Sequence, residues 1–315
     1  MADGTTTVSV QALRGFAPPV RRSGLKRFAQ RRSTVAVLMC LPLIALIAGL
    51  VVYPFFYSIW LSLLNRAMTR FIGLFNYRYL LRSDTFNLVI FQSCFFAITA
   101  VFFKALIGFI LAHVMHNISG RDQRIWRGLL LVPWVIPPAL STLGWWWMIS
   151  GNYSAINWLL EQVGIHPIAW LANTWWARCW VVAVNVWYGT PFFMIMYLAT
   201  LKSVPEQLYE AAVIDGATGL QKIRYISLPL LRNIISITVL FSLIVTFANF
   251  DIVEILTTGA PANTTHVFAT YAFQLGIQSG NIPLGAAVSL FIFPILAIIS
   301  IFILRGVGKR AREGI

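Results

Sequence analysis

The chain has 315 residues, of which 58% are hydrophobic and 11% are charged, and its mean hydropathy is +0.76. A soluble domain carries about 25% charged residues, so this composition excludes an ordinary soluble globule and indicates a protein that lies in a bilayer. The formal net charge is +14. What this positive charge indicates about partners and topology depends on where the Lys and Arg residues lie along the chain.

Six apolar runs are long enough to cross a membrane as helices, which takes about 20 residues. The predicted spans are 35–63, 88–116, 127–149, 179–201, 234–257 and 284–304. Pro133, Pro137 and Pro138 in the third run and Pro191 in the fourth should break or kink their helices. Such breaks are tolerated where neighbouring helices or a water-filled cavity satisfy the freed carbonyls, so these spans are candidate walls of a path.

The Lys and Arg residues are concentrated on alternate sides of the apolar runs. The N-terminal tail, the segments after the second and fourth runs and the C-terminus carry most of the 24 cations. The opposite loops carry five, which are Arg66, Arg70, Arg78, Arg82 and Arg178. The positive-inside rule then predicts a multi-pass protein with both termini in the cytoplasm. The basic tail is interpreted as a topology signal in contact with membrane lipid, and no nucleic-acid partner is expected.

Two features concern the apolar and aromatic residues around these runs. Trp residues cluster towards the predicted outer ends, and the segment 150–178 should form an interfacial excursion in which NWLLEQVG is a short amphipathic helix. Cys40, Cys94 and Cys179 have no metal or disulfide spacing and are predicted to be small core residues.

The segment PEQLYEAAVIDGATGLQKIRYISLPL (205–230) is polar although it lies between two apolar runs. Ser203 followed three residues later by Glu206 predicts a capping box, and the helix that it starts should end at Gly216. The sequence TGLQ, which begins at Thr218, predicts a second capping box and a second short helix. Two helices that meet at a glycine are more typical of a docking element than of a passive connection.

The sequence EAAVIDGATGLQKIRYISLP resembles the EAA loop of the permease subunits of bacterial binding-protein-dependent ABC importers, E-A-A-x-x-D-G-A followed by I-x-L-P. The matching residues are Glu210, Ala211, Ala212, Asp215, Gly216, Ala217, Ile226, Leu228 and Pro229. The resemblance covers roughly 35–305, and VVYPFFYSIWLSL and FIGLFNYRYLL are similar to the carbohydrate-type branch, which includes maltose and glycerol-phosphate permeases. TTGAP departs from that branch, which usually has a second Gly before the Pro. The resemblance therefore does not predict the conformation of the loop around Gly259.

The resemblance implies an all-α membrane protein with six transmembrane helices, in the type I ABC importer permease fold with cytoplasmic EAA coupling helices. It divides the chain into a basic cytoplasmic tail, the first span with its outer loop, a permease core of five spans with the EAA loop at 203–230, and a cytoplasmic C-terminal tail. The corresponding ranges are 1–34, 35–86, 87–304 and 305–315.

The resemblance also implies that the EAA loop docks in a cleft of a cytoplasmic ATPase and transmits its closure to the spans. Glu210 would pair with a basic residue of the ATPase, and the small side chains beside it would permit close docking. The implied coupling residues are Glu210, Ala211, Ala212, Asp215, Gly216 and Ala217. The implied partners are a second permease subunit in a heterodimer, a homodimeric cytoplasmic ATPase and an extracytoplasmic solute-binding protein.

The chain shows no G-x-x-x-x-G-K-[ST] phosphate loop, because the terminal GVGKRAR has Ile303 where the first Gly is required and lacks the Ser or Thr. It is therefore not expected to be an enzyme on its own or to bind a cofactor, and ATP and Mg should be bound by the ATPase subunits. His113 and His116 have a spacing that suits a metal, but no third ligand lies near, so no metal site is predicted.

Ionisable residues within spans are costly and are treated as functional by default. Lys104 could snorkel or make a structural contact inside the bundle, and the acidic residues near the end of the fifth run could instead meet a binding protein. Sugars bind to aromatic faces and to convergent hydrogen-bonding groups. The predicted substrate-path residues are Trp145, Trp146, Trp187, Tyr188, Asn249, Asp251 and Glu254.

The function predicted from the sequence is therefore that of a permease subunit that forms the path for a sugar or sugar-like solute. An ion-coupled secondary transporter is one alternative, which is weakened by the scarcity of buried acids and by the lack of an evident inverted repeat. An ABC importer permease for a non-sugar cargo is another. A membrane-embedded enzyme is the weakest, because no catalytic cluster is found.

Overall fold

The computed structural model of the chain describes residues 32–118, 120–151 and 154–312. Within these ranges the chain is helical, and the only extended pairing described is an isolated antiparallel bridge between Leu64 and Phe71. The basic N-terminal tail predicted from the sequence lies outside the described residues up to residue 31. Backbone contacts divide the chain into two compact units, with the boundary between Tyr57 and Ser58.

The first unit is built from one apolar helical stretch. It contains α1 (Arg32–Ile47), a π-helical segment (Ala48–Val52) and the start of α2 (Tyr53–Ser62). Leu50 and Met39 are largely exposed in the isolated chain. A helix that is apolar on all sides requires lipid or protein as its surroundings.

The second unit contains the remaining helices and two further π-helical segments, Ile223–Ser227 and Gln274–Gln278. Its helices are α3 (Phe75–Leu81), α4 (Asp84–Asn117), α5 (Gly120–Val135), α6 (Pro138–Ile149), α7 (Ala155–Gln162), α8 (Thr174–Leu201), α9 (Glu206–Ile214), α10 (Gly219–Lys222), α11 (Leu228–Phe247), α12 (Asp251–Thr257), α13 (Phe268–Phe273), α14 (Ile282–Leu290) and α15 (Ile292–Arg312).

Within the described part of the chain, five helical stretches are long and apolar enough to cross a membrane. They are Met39–Ser62, Asp84–Asn117, Thr174–Leu201, Gly219–Phe247 and Ile282–Gly306. The pair α5 and α6 supplies a sixth span if it is counted as one, and it is bent by 90° at its break. The predicted break lies at Pro137 and Pro138, where α6 begins, whereas α8 continues through Pro191. The all-α, six-span prediction is confirmed with this one span broken.

The fifth predicted span, 234–257, was wrong as a continuous helix. The apolar helix ends at Phe247, and Asp251–Thr257 forms the separate helix α12. The Asn249 side-chain oxygen accepts a hydrogen bond from the Ile252 backbone N–H at 3.2 Å, which satisfies a free donor at the start of the new helix. Asn249 and Asp251 at the break are flanked on both sides by apolar residues, and the prediction therefore joined the two helices into one span.

The core lies mainly where α4 and α8 cross. Small residues of α4 let the two backbones approach closely, as is common between membrane helices. A Cβ atom on Gly108 would overlap the Phe193 Cβ atom and lie 3.1 Å from the Met194 backbone nitrogen. Phe193 and Met194 are buried in this cluster together with Ala112.

The short helix predicted within 150–178 is confirmed, because α7 covers most of NWLLEQVG. Asn157 is fully buried and accepts hydrogen bonds from the Ile168 N–H at 3.1 Å and the Trp170 ring N–H at 2.9 Å. The expectation for the cysteines was wrong in part. Cys94 is half-buried, but Cys40 and Cys179 are exposed in the isolated chain because they lie on outward-facing sides of their helices.

Candidate coupling site and substrate path

The residues 203–230, which we call the EAA hairpin, form two short helices joined by a bend at Gly216. Gly216 has φ +73°, a conformation that glycine adopts without steric cost. The Gly216 N–H donates to the Val213 carbonyl at 3.0 Å, and the Ala217 N–H donates to the Ala212 carbonyl at 2.8 Å. This pair of bonds is the Schellman motif that ends a helix, so the bend predicted at Gly216 is confirmed.

The second capping box of the EAA hairpin is also confirmed. The Gln221 N–H donates to the Thr218 hydroxyl at 3.4 Å, and the Thr218 N–H donates to the Gln221 side-chain oxygen at 2.7 Å. After α10 the chain continues through the π-helical segment Ile223–Ser227 into α11, so the second helix of the hairpin is the first part of the fifth span. A shift of the hairpin is therefore a shift of that span.

The first capping box was wrong. Helix α9 begins at Glu206 after Pro205, with no side-chain cap. The Ser203 hydroxyl instead donates to the Thr200 carbonyl at 2.7 Å. Helix α8 ends at Leu201, so Ser203 lies just after its last turn, where the Thr200 carbonyl is available to the hydroxyl.

The predicted coupling residues lie along α9 and around the bend. Glu210, Ala211, Asp215 and Gly216 are exposed, whereas Ala212 and Ala217 are half-buried. Asp215 is the C-cap residue, between the end of the helix and the bend. The structure therefore brings all six residues onto one short stretch of surface, with small side chains beside an acidic one.

Two apolar side chains at the bend were missed by the sequence interpretation. Ile214 is 86% exposed and Leu220 is 76% exposed, on either side of Gly216. Exposed apolar side chains on a polar hairpin mark an interaction surface. The signal was available in VIDGATGL, where apolar residues flank a glycine bend.

Polar contacts occur inside the EAA hairpin and beside its first residue. The Tyr209 hydroxyl lies 3.0 Å from the Ser227 hydroxyl, and Ser227 is buried. At the end of α8, the Lys202 ammonium donates to the Gln123 side-chain oxygen, and the Gln123 amide donates to the Met115 carbonyl at 2.5 Å. The first contact holds α9 against the start of the fifth span, and the other two join the end of α8, directly before the hairpin, to α5 and the end of α4.

A buried cation occupies the centre of the second unit. Lys104 of α4 is 3% exposed, and its ammonium donates to the Asn185 side-chain oxygen at 2.8 Å and to the Thr246 hydroxyl at 2.9 Å. Gly189 leaves room for the lysine stem, because a Cβ atom there would overlap it. We call these contacts the Lys104 tie, since they join α4, α8 and α11. A structural contact inside the bundle is thus the interpretation of Lys104 that the geometry supports.

The structure brings only some of the predicted path residues together. Trp145 of α6 lies edge-to-face with Trp187 of α8, with ring centroids 5.5 Å apart, and 5.7 Å from the Trp180 ring. Trp146 is exposed in the isolated chain and instead lines a separate cavity of about 450 Å³ with residues of α12. Consecutive helical residues point about 100° apart, so the two tryptophans cannot share one wall.

The polar residues after the fifth span take different roles. Asn249 accepts the hydrogen bond from the Ile252 N–H described above, and Asp251 and Glu254 are half-buried in the first turn of α12. Tyr188 is half-buried on α8, and α8 packs against α12. The structure therefore places Tyr188 and Asp251 on neighbouring helices.

The loop that departs from the family pattern has a glycine for a structural reason. Gly259 has φ +85°, and a Cβ atom there would overlap the ring of His266. Burial lowers the pKa of His266 to about 4, and its Nδ1 atom lies 3.0 Å from the Thr270 hydroxyl. Within the described ranges, no group of three or more His, Cys, Asp or Glu side chains could hold a metal ion.

Solved structures with this fold are helical importer subunits. One chain is described as part of a bacterial ABC transporter involved in the import of the acidic polysaccharide alginate. It superimposes with a TM-score of 0.76 at 21% identity, over 90% of this chain and 98% of that chain. At this identity the likeness establishes the fold, which is that of a type I ABC importer permease.

Sequence comparison gives the family. Residues 104–312 match the model described as the binding-protein-dependent transport system inner membrane component. The trehalose/maltose transport system permease protein MalF of Thermococcus litoralis is 30% identical over 289 residues, which cover 90% of this chain and 96% of the relative. The sulfoquinovosyl glycerol transport system permease protein SmoG of Agrobacterium fabrum is 28% identical over 86% of this chain and 89% of its own. The chain therefore belongs to this family of inner-membrane permease subunits of ABC importers.

Proposed function

We propose that this chain, paired with a second and different permease subunit, forms the path by which a sugar or sugar-like solute enters a bacterial cell. Its relatives are named for trehalose and maltose, for galactooligosaccharides and for sulfoquinovosyl glycerol. Carbohydrate is the chemistry that these names share. The edge-to-face pair Trp145 and Trp187 offers aromatic surface of the kind on which sugar rings stack.

The observation that carries the mechanism is the EAA hairpin. Its bend exposes Ile214 and Leu220 beside the acidic Glu210, and its second helix continues into the fifth span. We infer that this surface docks in a cleft of a homodimeric cytoplasmic ATPase, with Glu210 paired to a basic residue there. Movement of the ATPase subunits then passes directly into the spans.

The remaining parts of the complex follow from this assignment. The chain has no phosphate loop, so ATP and Mg are bound and ATP is hydrolysed on the ATPase subunits. With the hairpin in the cytoplasm, both termini are cytoplasmic and the α2–α3 loop faces outward. An extracytoplasmic solute-binding protein delivers the cargo, and a solved relative is described in complex with a periplasmic protein that holds an alginate pentasaccharide.

The first test is purification of the tagged chain from its native membranes, followed by ATPase and uptake assays in proteoliposomes. Glu210→Lys and Ile214→Asp should each reduce the co-purified ATPase by about tenfold, because either change places an unpaired charge in the docked surface. Glu161→Lys is the matched control, since Glu161 is exposed on α7, away from the hairpin. An unchanged ATPase yield in both hairpin variants would place the joint elsewhere.

The second test concerns the energy source and the cargo. Uptake of labelled disaccharides should require ATP and the binding protein, and amino acids and phosphate esters should not compete. Uptake that continues without ATP but follows an ion gradient would establish an ion-coupled carrier instead. ATP-dependent uptake of a non-sugar solute alone would keep the importer and replace its cargo.

A further inference from the structure

A second binding feature lies near the start of α4, whereas the EAA hairpin lies at the other end of that helix. The loop that joins α2 to α3 is closed by the bridge between Leu64 and Phe71. Inside it, the Asn65 side-chain oxygen accepts from the Thr69 N–H at 2.9 Å and from the Arg70 N–H at 3.0 Å. These bonds preorganise the loop, so its side chains are presented in fixed positions.

Long-range bonds fix the loop to the rest of the second unit. The Arg66 guanidinium donates to the Ser279 carbonyl at 2.9 Å. Asn76 is 7% exposed, and its amide donates to the carbonyls of Ser62 and Leu64 at 2.8 and 2.9 Å. The loop is therefore anchored both to the end of α2 and to the segment before α14.

A cavity of about 590 Å³ lies between this loop, α3 and the start of α14. Its volume is in the range of small-molecule sites, about 300–1,000 Å³. Its walls combine guanidinium, aromatic and amide groups, from Arg66, Arg70, Phe71, Phe75, Tyr79 and Asn281. None of the lining residues is acidic, and none belongs to the helices that carry the predicted path residues.

The lining side chains are available to a ligand. Phe71, Phe75 and Tyr79 are 64%, 62% and 57% exposed. Among the described residues, the Arg70 side chain has no hydrogen bond or ion pair, although its backbone is held by Asn65. An arginine fork matches a carboxylate through two parallel hydrogen bonds, and aromatic faces stack on the C–H surfaces of a sugar ring.

We propose that this cavity binds an acidic saccharide, a sugar that carries a carboxylate, at the outward side of the permease and apart from the translocation path. The inference rests on the proposed function for the outward orientation of the loop and for the carbohydrate cargo. Arg70 holds the carboxylate, Arg66 supplies a second positive charge, and Phe75 and Tyr79 contact the ring. The site retains an acidic sugar at the membrane surface near the entrance.

The experiment uses the full chain in phosphatidylcholine nanodiscs and isothermal titration with trigalacturonate, with maltotriose as a neutral probe of equal length. Trigalacturonate should bind at least about tenfold more tightly than maltotriose, and Arg70→Gln should weaken it by about tenfold. Tyr79→Ala should weaken both probes. Arg78→Gln and Arg82→Gln are the controls, because they remove the same charge from exposed positions near the cavity that do not line it.

Four outcomes overturn the proposal. One is equal affinity for the two probes, and another is no measurable binding of trigalacturonate. A third is equal weakening by the control variants, which indicates attraction by net charge alone. The fourth is loss of trigalacturonate binding in phosphatidylglycerol nanodiscs with that lipid retained in native mass spectra, which assigns the cavity to a lipid headgroup.

Failure of this proposal differs from failure of the proposed function. The titration requires neither ATP nor an ATPase, so trigalacturonate binding can succeed even if the chain is not coupled to an ATPase. Conversely, ATP-driven uptake with no trigalacturonate binding leaves the importer intact and removes only this site. Arg70 is exposed and its loop contacts use backbone atoms, so Arg70→Gln should fold normally.

Discussion

The EAA hairpin and the Lys104 tie are stabilised in opposite ways. The hairpin is shaped by neighbours in sequence, as in the bond from Ala217 to Ala212 and the capping box of Thr218. The tie joins residues that are 81 and 142 positions apart. A locally determined element can move as a unit and keep its shape, whereas the centre of the bundle loses its contacts if any of its helices shifts. This difference suits a hairpin that moves as one piece while the centre of the bundle stays rigid.

The largest expected effect is on the bundle centre, through Gly108→Val. The new side chain would overlap Phe193 and the adjacent backbone of α8, and overpacking of this kind costs about 3 kcal/mol. We expect little folded protein and a clearly lower melting temperature by fluorescence-detected size-exclusion chromatography. Gly128→Val in α5 is the control, because nothing lies within 4 Å of a Cβ atom there. If the two variants lost equal amounts of folded protein, the cause would be valine in a helix and not overpacking at the crossing of α4 and α8.

The next effect is on the Lys104 tie. Lys104→Met keeps most of the side-chain volume but leaves the buried oxygen atoms of Asn185 and Thr246 without their donor, which should cost about 1–3 kcal/mol. Thr246→Val should cost less, because one of the two acceptors remains. The measurement is a double-mutant cycle on thermal stability, with an expected coupling of about 0.6 kcal/mol, the average for hydrogen bonds between membrane helices. A coupling of zero would mean that the two side chains do not interact in the membrane.

The parts of this protein that could be predicted from sequence are those with local signals. Apolar length marked the spans, because a bilayer has a fixed thickness. The bend at Gly216 and the box at Thr218 followed from backbone geometry and capping chemistry, which involve residues within five positions of each other.

The parts that could not be predicted depend on distant partners or on competition between neighbours. Nothing near Lys104 in sequence identifies Asn185 and Thr246 as its acceptors. Ser203 resembled a cap because its spacing was correct, but the end of α8 offered its hydroxyl a nearer carbonyl. The fifth span ends at Phe247, short of the predicted residue 257, because a separate helix begins at Asp251 and Asn249 accepts the Ile252 N–H of its first turn.

A smaller effect is expected in the EAA hairpin, through Gly216→Ala. A side chain at φ +73° costs about 1–2 kcal/mol, but the space around this glycine is open, so the bundle should keep its melting temperature. We expect the strain to change the angle between α9 and α10, and therefore to lower solute uptake per ATP hydrolysed. Gly219→Ala is the control, since it lies two residues beyond Ala217 in equally open space and without positive φ. A fall in melting temperature equal to that of the bundle variants would contradict the separation between the two regions.

The smallest effect is expected inside the EAA hairpin, where α9 contacts the segment that leads into the fifth span. Tyr209→Phe removes the hydroxyl that lies 3.0 Å from Ser227, a single hydrogen bond worth about 0.5–1.5 kcal/mol. Tyr225→Phe is the matched control, because Tyr225 is 68% exposed and lies two residues before Ser227 in the same segment. If the hairpin moves as a unit, this bond transmits its motion to the start of α11, and Tyr209→Phe should lower ATP-coupled uptake by a few-fold with no change in melting temperature. If uptake is unchanged and stability falls instead, the contact belongs to the rigid bundle. The part of the hairpin that moves then ends before Ser227.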